Sequence, residues 1–391
     1  MYRRTVEINK SHHLFLFGAR GTGKTTLLQV LFKNRDDILR IDLLDLELEA
    51  RYSKTPKLLV DEIQAAPGLK YILIDEIQKV PKLLDLIHQF IQKNGNRIIF
   101  ILTGSSAKKL KQGGANLLAG RAFVYHLFPL SFLELGEHFN LNNYLQIGGL
   151  PEVYNFTDRK SQNKFLRAYA LTYLKEEVWA EHLIKNLDPF RKFLELAAFA
   201  NGEIINYSKL AKQVGADNKT IQAYFQILEA TLVGFILEPY ATSIRKRLIK
   251  APKFYYFDLG VKRALEETLT VELVAGTYAY GRSFEHFIIS QFIYLIKYLE
   301  NDFSYSYLKT EAGVEVDFII QKPNREVILI KIKSKSIITT DDAKALRGIA
   351  LNIKNSTCYL LSQDPISRVV DDVHYLPWAS GILEILDIKS A

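Results

Sequence analysis

Short apolar runs alternate with helical patterns over the first third of the chain. The runs at residues 13–17, 38–43, 71–74, 98–102 and 123–127 are rich in β-branched or aromatic residues and are typical of strands. Residues 25–32 instead carry leucine and valine at helical spacing. Because strands that alternate with helices form a parallel sheet covered on both faces, the pattern predicts an α/β fold that closes near Pro129.

The middle of the chain has a different pattern. Residues 130–200 are helical in period and rich in aromatic side chains, and Asn201-Gly202 interrupts them. Two short helices are expected at 208–214, with Ser208 as its N-cap, and at 218–228, followed by a strand at 232–237. This order predicts a winged helix. Its outward side chains, of types that contact phosphates and bases, are Lys219, Thr220, Gln222, Ala223 and Gln226.

The pattern changes again beyond Gly281. A long helix is expected from Ser283 to Tyr298. Two apolar or alternating segments follow it, at residues 314–320 and 327–332, and are typical of paired strands. The end of the chain is therefore expected to form a further α/β unit.

Composition excludes several classes of protein. The 391 residues are 48% hydrophobic and 24% charged, which is ordinary for globular domains and excludes a disordered or collagen-like chain. The single cysteine, Cys358, cannot form an internal disulfide. No apolar run reaches the ~18–20 residues that cross a bilayer, and the first residues lack the apolar stretch of a signal peptide. We expect a soluble, cytoplasmic protein without membrane contact.

The net positive charge of the chain is compatible with polyanionic partners. Lysine and arginine total 51 against 43 acidic residues, a formal net charge of +8. Such a surplus bears on non-specific binding and not on the fold. One short stretch is especially basic and is either a solvated loop or a nucleic-acid contact; it contains Arg245, Lys246, Arg247, Lys250 and Lys253.

A phosphate-binding motif, G-x-x-x-x-G-K-T, occupies residues 18–25, directly after an expected strand and at the start of an expected helix. Its glycines allow backbone N–H groups to surround a triphosphate. Lys24 is placed to reach the β- and γ-phosphates, and the Thr25 hydroxyl to bind Mg²⁺. The predicted nucleotide-binding residues are Gly18, Ala19, Arg20, Gly21, Thr22, Gly23, Lys24, Thr25 and Thr26.

Such a loop also needs a carboxylate at the end of a neighbouring strand. Two similar segments compete for this role, Asp61-Glu62 and Asp75-Glu76. The second follows a continuous apolar run suited to a buried strand, whereas the first fits a short helix better. We therefore assign Asp75 to Mg²⁺ and Glu76 to the attacking water, which is the arrangement of a hydrolase.

Hydroxyl groups follow the next expected strand. Residues 98–102 lead into Thr103-Gly104-Ser105-Ser106. From the adjacent strand such hydroxyls can reach the γ-phosphate or the attacking water. Thr103 and then Ser105 are the candidates, and the alternative is a polar turn that caps a helix.

Together with Leu118-Ala119-Gly120-Arg121 and Pro129-Leu130-Ser131-Phe132, these motifs resemble a prokaryotic AAA-type P-loop ATPase family. Its members carry a C-terminal, restriction-endonuclease-like domain of uncharacterised function. The resemblance covers nearly the whole chain and implies ATP and Mg²⁺ as cofactors, with residues 75–76 as the Walker B pair and 103–106 as the sensor segment. Arg121 matches an arginine of the family. It is expected to act as a sensor in its own subunit, as a finger into a neighbour of a homo-oligomer, or in a structural ion pair.

The resemblance also implies a nuclease-like site, which requires carboxylates around Mg²⁺ and a lysine beside the attacking water. Glu285, Asp317 and Lys333 match this pattern, but Lys331 stands where an acid belongs. Since residues two apart share a strand face, Lys331 is expected to point at the metal position and to oppose binding. Glu315 shares a face with Asp317 and is the one candidate to compensate. We expect a degenerate nuclease fold that serves for interaction.

The expected organisation is an ATPase core at residues 1–130, a helical lid or linker at 131–200, the winged helix at 201–260 and the nuclease-like domain at 261–391. The main hypothesis is an ATP-dependent switch or motor that couples nucleotide state to an unknown protein partner. One alternative is a module that binds duplex DNA under the control of ATP, and another is an active nuclease. In related ATPases a winged helix is often a lid or a docking surface, so its contact with DNA is one of several options.

Overall fold

The computed structural model describes residues 2–105, 118, 120–173, 187–241 and 251–389. Its first part contains a five-stranded parallel sheet in the order β2-β3-β4-β1-β5. The strands are β1 (His13–Phe17), β2 (Ile38–Asp42), β3 (Tyr71–Asp75), β4 (Ile99–Gly104) and β5 (Ala122–His126). The prediction of a parallel α/β sheet is confirmed, and every strand end lies within two residues of its expected position.

Helices cover both faces of this sheet. Phe15 and Phe17 pack on one face against α2, α3 and α4, and the alternate residues Leu14 and Leu16 pack on the other against α1. The helices are α1 (Lys24–Leu31), α2 (Leu46–Lys54), α3 (Leu58–Ala65) and α4 (Lys82–Asn94). Burial on both faces explains why the central strands are continuous apolar runs in the sequence.

A helical region follows the sheet. Its helices are α5 (Phe132–Leu135), α6 (Leu141–Ile147), α7 (Arg159–Ala168), α8 (Leu187–Phe199), α9 (Tyr207–Val214), α10 (Asn218–Ala230) and α11 (Leu259–Leu265). A π-helical turn at Tyr169–Tyr173 continues α7, and β6 (Gly234–Leu237) pairs antiparallel with β7 (Lys253–Tyr256). The expected break falls at Gly202, where φ is +72° and a Cβ atom would lie 2.7 Å from the Tyr255 ring.

The two expected short helices are present, but the first begins one residue before Ser208. Asn206 caps α9, because its side chain accepts a hydrogen bond from the Lys209 N–H at 2.9 Å. Asp217 caps α10 in the same way, through the Thr220 N–H at 2.7 Å. Ser208 therefore lies inside the first turn of α9 and is not its N-cap.

The last part contains the helix α12 (Tyr278–Tyr298) and a six-stranded mixed sheet in the order β12-β13-β11-β10-β9-β8. The strands are β8 (Ser304–Lys309), β9 (Glu315–Gln321), β10 (Val327–Lys333), β11 (Ser356–Ser362), β12 (Arg368–Val370) and β13 (Val373–Pro377), with helices α13 (Lys344–Ala350) and α14 (Trp378–Ile385). The expected pairing of β9 with β10 is present and antiparallel.

The first and last parts meet along α12. Phe284 and Phe287 of this helix belong to one buried apolar cluster with Ile330 of the last sheet and with Leu130 and Phe132 just after β5. The segment that leaves the first sheet is therefore held against the C-terminal unit. Within the described ranges, no helix has both the length and the apolar character needed to span a bilayer.

Candidate functional site

The phosphate-binding motif lies where three parallel strands end. It follows β1 and forms the loop into α1, while β3 and β4 bring Asp75 and Thr103 to the same edge. Gly21 and Gly23 have φ of +77° and +92°, left-handed values that favour glycine. A Cβ atom on Gly18 would lie 2.5 Å from the Leu127 carbonyl oxygen. The loop therefore requires glycine, and residues 18–26 form one continuous cradle with the first turn of α1.

Lys24 is buried with its ammonium group turned into this loop. Its Nζ donates hydrogen bonds to the carbonyl oxygens of Gly18 at 2.8 Å and Ala19 at 3.3 Å. Lys24 forms no ion pair with any residue that the structure describes. Because a buried cation without a carboxylate attracts an anion, the loop fits a phosphate group.

Asp75 connects the loop to the two neighbouring strands. The Thr25 hydroxyl donates to Asp75 Oδ2 at 2.6 Å, and the Thr103 hydroxyl donates to Asp75 Oδ1. The Asp75 side chain is buried at the end of β3. A threonine hydroxyl beside a carboxylate is a ligand set that suits Mg²⁺, so these residues fit the metal predicted for them.

Glu76 follows Asp75 in a left-handed conformation, with φ of +54° and ψ of +49°. Such a conformation costs a non-glycine residue about 1–3 kcal/mol and is often found at functional sites. The Glu76 N–H donates to Thr103 Oγ1 at 3.1 Å, which fixes the turn. The structure thus places the predicted general base next to the predicted metal ligand.

Gln78 was not predicted as a site residue. Its side-chain amide donates to the Glu76 carboxylate and, at 3.0 Å, to Ser105 Oγ. Its Oε1 is buried and lacks a hydrogen-bond partner within the described residues. Gln78 therefore connects Glu76 to Ser105, the second predicted hydroxyl. Ser106, the last residue of the expected sensor segment, lies outside the described residues.

Arg4 also contacts the loop, and sequence reasoning missed it. Its guanidinium donates to the Thr22 carbonyl at 2.7 Å and to the Phe128 carbonyl at 2.5 Å. It also bonds to the Tyr298 hydroxyl at 3.0 Å and to Glu134 Oε1 at 2.9 Å. One buried side chain thus joins the loop to the end of β5 and to α12. The segment around Arg4 has no periodic pattern that could have revealed this.

Tyr169 contacts the loop from the helical region. Its hydroxyl donates to the Arg20 carbonyl at 2.7 Å. Its ring lies 3.4 Å from the position that a Cβ atom on Gly21 would take. The π-helical turn that begins at Tyr169 thus packs directly on the backbone that would surround a phosphate.

The competing segment at Asp61-Glu62 lies apart from the site. It belongs to α3, as its pattern indicated, and Asp61 is exposed. Glu62 accepts hydrogen bonds from Arg51 at 3.0 Å and from the Tyr52 hydroxyl at 2.6 Å. These contacts make it a structural residue of the α2–α3 pair.

Arg121 is exposed at the opposite edge of the sheet. Its neighbour Ala122 pairs with His13 at the start of β1, whereas the loop follows Phe17 at the end of that strand. Arg121 is close enough to His13 to help lower the pKa of its imidazole, although burial is the larger cause. The structure does not bring Arg121 to the nucleotide site of its own chain, so a sensor role within one subunit has no geometric support.

The predicted nuclease-like residues do come together in the C-terminal unit. Lys331 Nζ lies 2.7 Å from Asp317 Oδ1 and also donates to the Glu315 carbonyl at 3.0 Å. Asp317 Oδ2 accepts from the Ile332 N–H at 2.7 Å. Burial raises the pKa of Asp317 to about 6, and the Lys331 charge opposes that rise. Lys331 therefore occupies the position beside Asp317 that a metal ion would need, and Lys333 lies two residues further along β10.

Lys253 enters the same cluster from β7. It is 2% exposed and pairs with Glu315 and, at 3.4 Å, with Glu285 Oε1, which also accepts from the Tyr255 hydroxyl at 2.9 Å. The interpretation of Lys253 as part of a surface basic stretch is thus wrong, because two carboxylates distant in sequence hold it inside. Within the described residues, no group of three or more His, Cys, Asp or Glu is placed to hold a metal.

The other basic residues of that stretch lie outside the described part of the chain: Arg245, Lys246, Arg247 and Lys250. The exposed face predicted for the second short helix is present. Four of its five residues are exposed on α10 (Lys219, Gln222, Ala223 and Gln226), whereas Thr220 is half-buried. Ile221 and Leu228 are buried beneath them.

Three family models match consecutive parts of the chain. Residues 10–136 match an AAA domain, residues 138–272 a domain of unknown function (DUF8612), and residues 280–380 a second domain of unknown function (DUF4143). The first match agrees with the loop geometry, and the N-terminal part is thus a P-loop nucleotide-binding domain of the AAA type.

Proteins of other organisms match most of this chain. An uncharacterized protein of Methanocaldococcus jannaschii is 26% identical over 97% of this chain and 86% of its own length. One of Mycobacterium tuberculosis is 23% identical over 81% of this chain and 69% of its own. Among solved structures, the match with AMPPCP-bound DnaA from Aquifex aeolicus spans 56% of this chain and 82% of the DnaA chain, at 16% identity and a TM-score of 0.28.

Proposed function

We propose that this chain is a cytoplasmic, Mg²⁺-dependent ATPase that acts as a switch or motor and transmits its nucleotide state to a partner protein. The observation that carries the proposal is the hydrogen-bonded group at the strand ends. Thr25 and Thr103 both bond to Asp75, and Glu76 follows in a strained turn. This is the chemistry of phosphoryl transfer to water, and a site for binding alone does not require Glu76.

Each residue then has a distinct role. Bound ATP·Mg²⁺ supplies a γ-phosphate whose charge the metal neutralises. Lys24 exchanges its two loop carbonyls for phosphate oxygens, and Thr25 and Asp75 hold the metal. Glu76 accepts a proton from the attacking water, while Gln78 keeps its carboxylate in place through Ser105. Thr103 positions both Asp75 and the Glu76 backbone.

The direct test is ATP hydrolysis by three variants. Lys24→Ala removes the buried ammonium and should weaken ATP binding by about tenfold or more, since charge-assisted hydrogen bonds contribute about 1.5–3 kcal/mol. Glu76→Gln should bind ATP with normal affinity and lose on the order of 10²-fold or more in kcat. The matched control is Glu62→Gln, because Glu62 stands in an identical Asp-Glu-Ile-Gln segment that lies in α3. Loss of turnover in Glu62→Gln but not in Glu76→Gln would contradict the assignment.

The switch acts through the contacts on the loop backbone. Arg4 connects Thr22 to Tyr298 of α12, and Tyr169 connects Arg20 to the helical region. Hydrogen exchange in Glu76→Gln, compared between ATP and ADP, tests this connection. We expect protection to differ at the end of α12 and in the 169–173 turn. Equal exchange in both states at both segments would refute coupling by this route.

We further propose that the C-terminal unit is a degenerate nuclease fold that serves for interaction. The support is the Lys331–Asp317 ion pair, since a cation 2.7 Å from the carboxylate takes the place of a metal. Glu315 does not compensate, because Lys253 and Lys309 already pair with its carboxylate.

A second candidate function is ATP-regulated binding of duplex DNA. It is favoured by the exposed α10 face, which carries Lys219, Gln222 and Gln226 around a small Ala223. Neutralising Lys219 together with Arg245, Lys246 and Arg247 should weaken duplex binding and flatten its salt dependence. No binding at low salt, with or without ATP, would leave the winged helix as a lid or docking surface.

A further inference from the structure

A cavity of about 410 Å³ opens beside α7, away from the strand ends that form the nucleotide site. One wall is the helix itself, with Arg159, Lys160, Asn163 and Arg167. The other wall is the loop that begins at Leu269, just after α11. The volume lies in the range of small-ligand sites.

The helical wall is strongly cationic. Lys160, Asn163 and Arg167 are spaced i, i+3 and i+7, so they lie on one face of α7. Arg159, Lys160 and Arg167 form no ion pair with any described residue. Glu272 is the acidic residue that lines the cavity, and the described residues show no ion pair between it and these cations. Burial lowers the pKa of Arg159, and the nearby Tyr154 hydroxyl opposes this shift only in part.

A buried polar atom lies against the same space. Asn163 is 6% exposed, and its amide donates a long hydrogen bond of 3.4 Å to the Leu269 carbonyl. Its Oδ1 lacks a partner among the described residues. An unsatisfied buried acceptor costs about 1–3 kcal/mol, which a ligand with a hydroxyl or amino group would recover. The cavity therefore offers cations for an anion and an acceptor for a donor.

We propose that this cavity is a second ligand site and that it binds the sugar phosphate of a nucleotide. Arg159, Lys160 and Arg167 hold the phosphate, and Asn163 Oδ1 accepts a hydrogen bond from a sugar hydroxyl or base amino group. The sugar phosphate comes either from a free mononucleotide or from the end of a single strand of nucleic acid. Both sources present the same groups to the cavity.

The site is connected to the ATPase loop through the same helix. α7 continues into the 169–173 turn, and Tyr169 bonds to the Arg20 carbonyl of the loop. Occupation of the cavity therefore affects the loop that holds ATP. This coupling rests on the proposed ATPase function, whereas binding at the cavity does not.

Binding is tested in the Lys24→Ala protein, in which the loop competes less strongly for nucleotide. Calorimetric titration with AMP, inorganic phosphate and a short single-stranded oligonucleotide compares the ligands. Adding Arg159→Gln and Arg167→Gln should weaken AMP binding about tenfold or more, since two charge-assisted contacts are lost. Lys164→Gln is the matched control, because Lys164 is exposed on the same helix but does not line the cavity. An equal loss in the control, or none in the double variant, would overturn the proposal.

Asn163→Leu separates the sugar contact from the phosphate contact. We expect it to weaken AMP binding severalfold, to leave phosphate binding unchanged and to keep or raise the melting temperature of the free protein. Unchanged AMP affinity in a folded variant would refute the role of Asn163.

The relative affinities of the two ligands identify the source of the sugar phosphate. An oligonucleotide that binds tighter than AMP and displaces it identifies a strand end, whereas AMP that binds tighter than the oligonucleotide identifies a free nucleotide. If the natural chain does not hydrolyse ATP but the cavity still binds AMP, the ATPase proposal is refuted and the cavity proposal is not.

Discussion

Arg4 Nη1 lies 2.7 Å from the carbonyl oxygen of Thr22, and this hydrogen bond joins the start of the chain to the phosphate-binding loop. The same guanidinium pairs with the buried carboxylate of Glu134 at 2.9 Å and contacts the Tyr298 hydroxyl at 3.0 Å. Because one rigid group makes all these contacts, we expect displacement of the loop to affect α12.

Arg4→Lys should therefore weaken ATP binding. Lysine retains the charge for Glu134 but, without the planar fork, cannot also bond to Thr22 and Tyr298. We expect the Kd for ATP to rise about tenfold, from the loss of about 1–2 kcal/mol of loop stabilisation. Calorimetric titration measures this.

Tyr298→Phe is the control for this prediction. It removes the hydroxyl that contacts Arg4 and the Phe128 N–H but keeps the bond from Arg4 to Thr22. We expect a lower melting temperature and a smaller change in ATP affinity than in Arg4→Lys. Unaltered ATP affinity in a folded Arg4→Lys protein would show that Arg4 supports the fold alone.

One substitution in the cluster around Asp317 is expected to create a metal-binding site. The natural sequence should show no metal-dependent cleavage of DNA or RNA, because Lys331 lies against Asp317. Lys331→Glu places two carboxylates within a few ångströms, so the metal-free variant should melt at lower temperature. Mn²⁺ should raise that melting temperature by several degrees, since it neutralises the repulsion.

The control for Lys331→Glu makes the same change of charge at another position of the C-terminal unit. Lys354 is exposed, and Lys354→Glu should not respond to Mn²⁺. Robust cleavage by the natural sequence that is lost in Asp317→Ala would refute the interpretation of a degenerate site.

The nucleotide site could be predicted because its signals are local. A continuous apolar run before Asp75 and a helical pattern around Asp61 distinguish the two acidic segments within a few residues. The partners of Lys253 could not be predicted in this way. Glu285 and Glu315 are far from it in sequence, and its basic neighbours suggested an exposed position.

Contacts across the chain explain the remaining differences. Arg4 and Tyr169 reach the loop from segments 18 and 149 residues away from their bonded carbonyls, and such pairings leave no periodic signal. β12 has only three residues and β13 is partly exposed, so their patterns are weaker than that of β1. Arg121 was identified by its motif, but only the strand register shows that it lies away from its own loop.

Arg121 should act in the site of a neighbouring subunit. It lies beside β5, the edge strand of the described sheet, where Phe123 and Val124 are 44% and 47% exposed. Exposed apolar side chains on an edge strand favour association. We expect Arg121→Ala to lose most ATPase activity. Mixing it with inactive Lys24→Ala should restore part of that activity, because each protein supplies what the other lacks.

The control mixture combines Lys24→Ala with Glu76→Gln, whose defects affect the same site and leave Arg121 intact in both. It should stay inactive. If Arg121→Ala hydrolyses ATP normally, or if its mixture gains nothing over the separate proteins, action in a neighbouring subunit is contradicted.

Stability should fall in acid because of His286. This imidazole is buried on α12, with Nε2 2.7 Å from the Tyr256 carbonyl and Nδ1 3.3 Å from Asn201 Nδ2. Burial, reinforced by Lys262 and Arg282, lowers its pKa to about 3. Between pH 6.5 and 3 the unfolded chain therefore binds a proton that the folded chain excludes. The His286 contribution to the free energy of unfolding should therefore decrease by about 1.4 kcal/mol per pH unit in this range, or by about 2 kcal/mol at pH 5.

His286→Gln provides the comparison, since glutamine can donate to the Tyr256 carbonyl but does not titrate. Urea unfolding at pH 7 and pH 5 measures the loss of stability in each protein. The variant should be less stable than the natural chain at pH 7 but should lose less on acidification. His126, whose pKa burial lowers to about 4, contributes equally to both proteins and cancels in the difference. An equal loss in the two proteins would mean that His286 is not the group that excludes the proton.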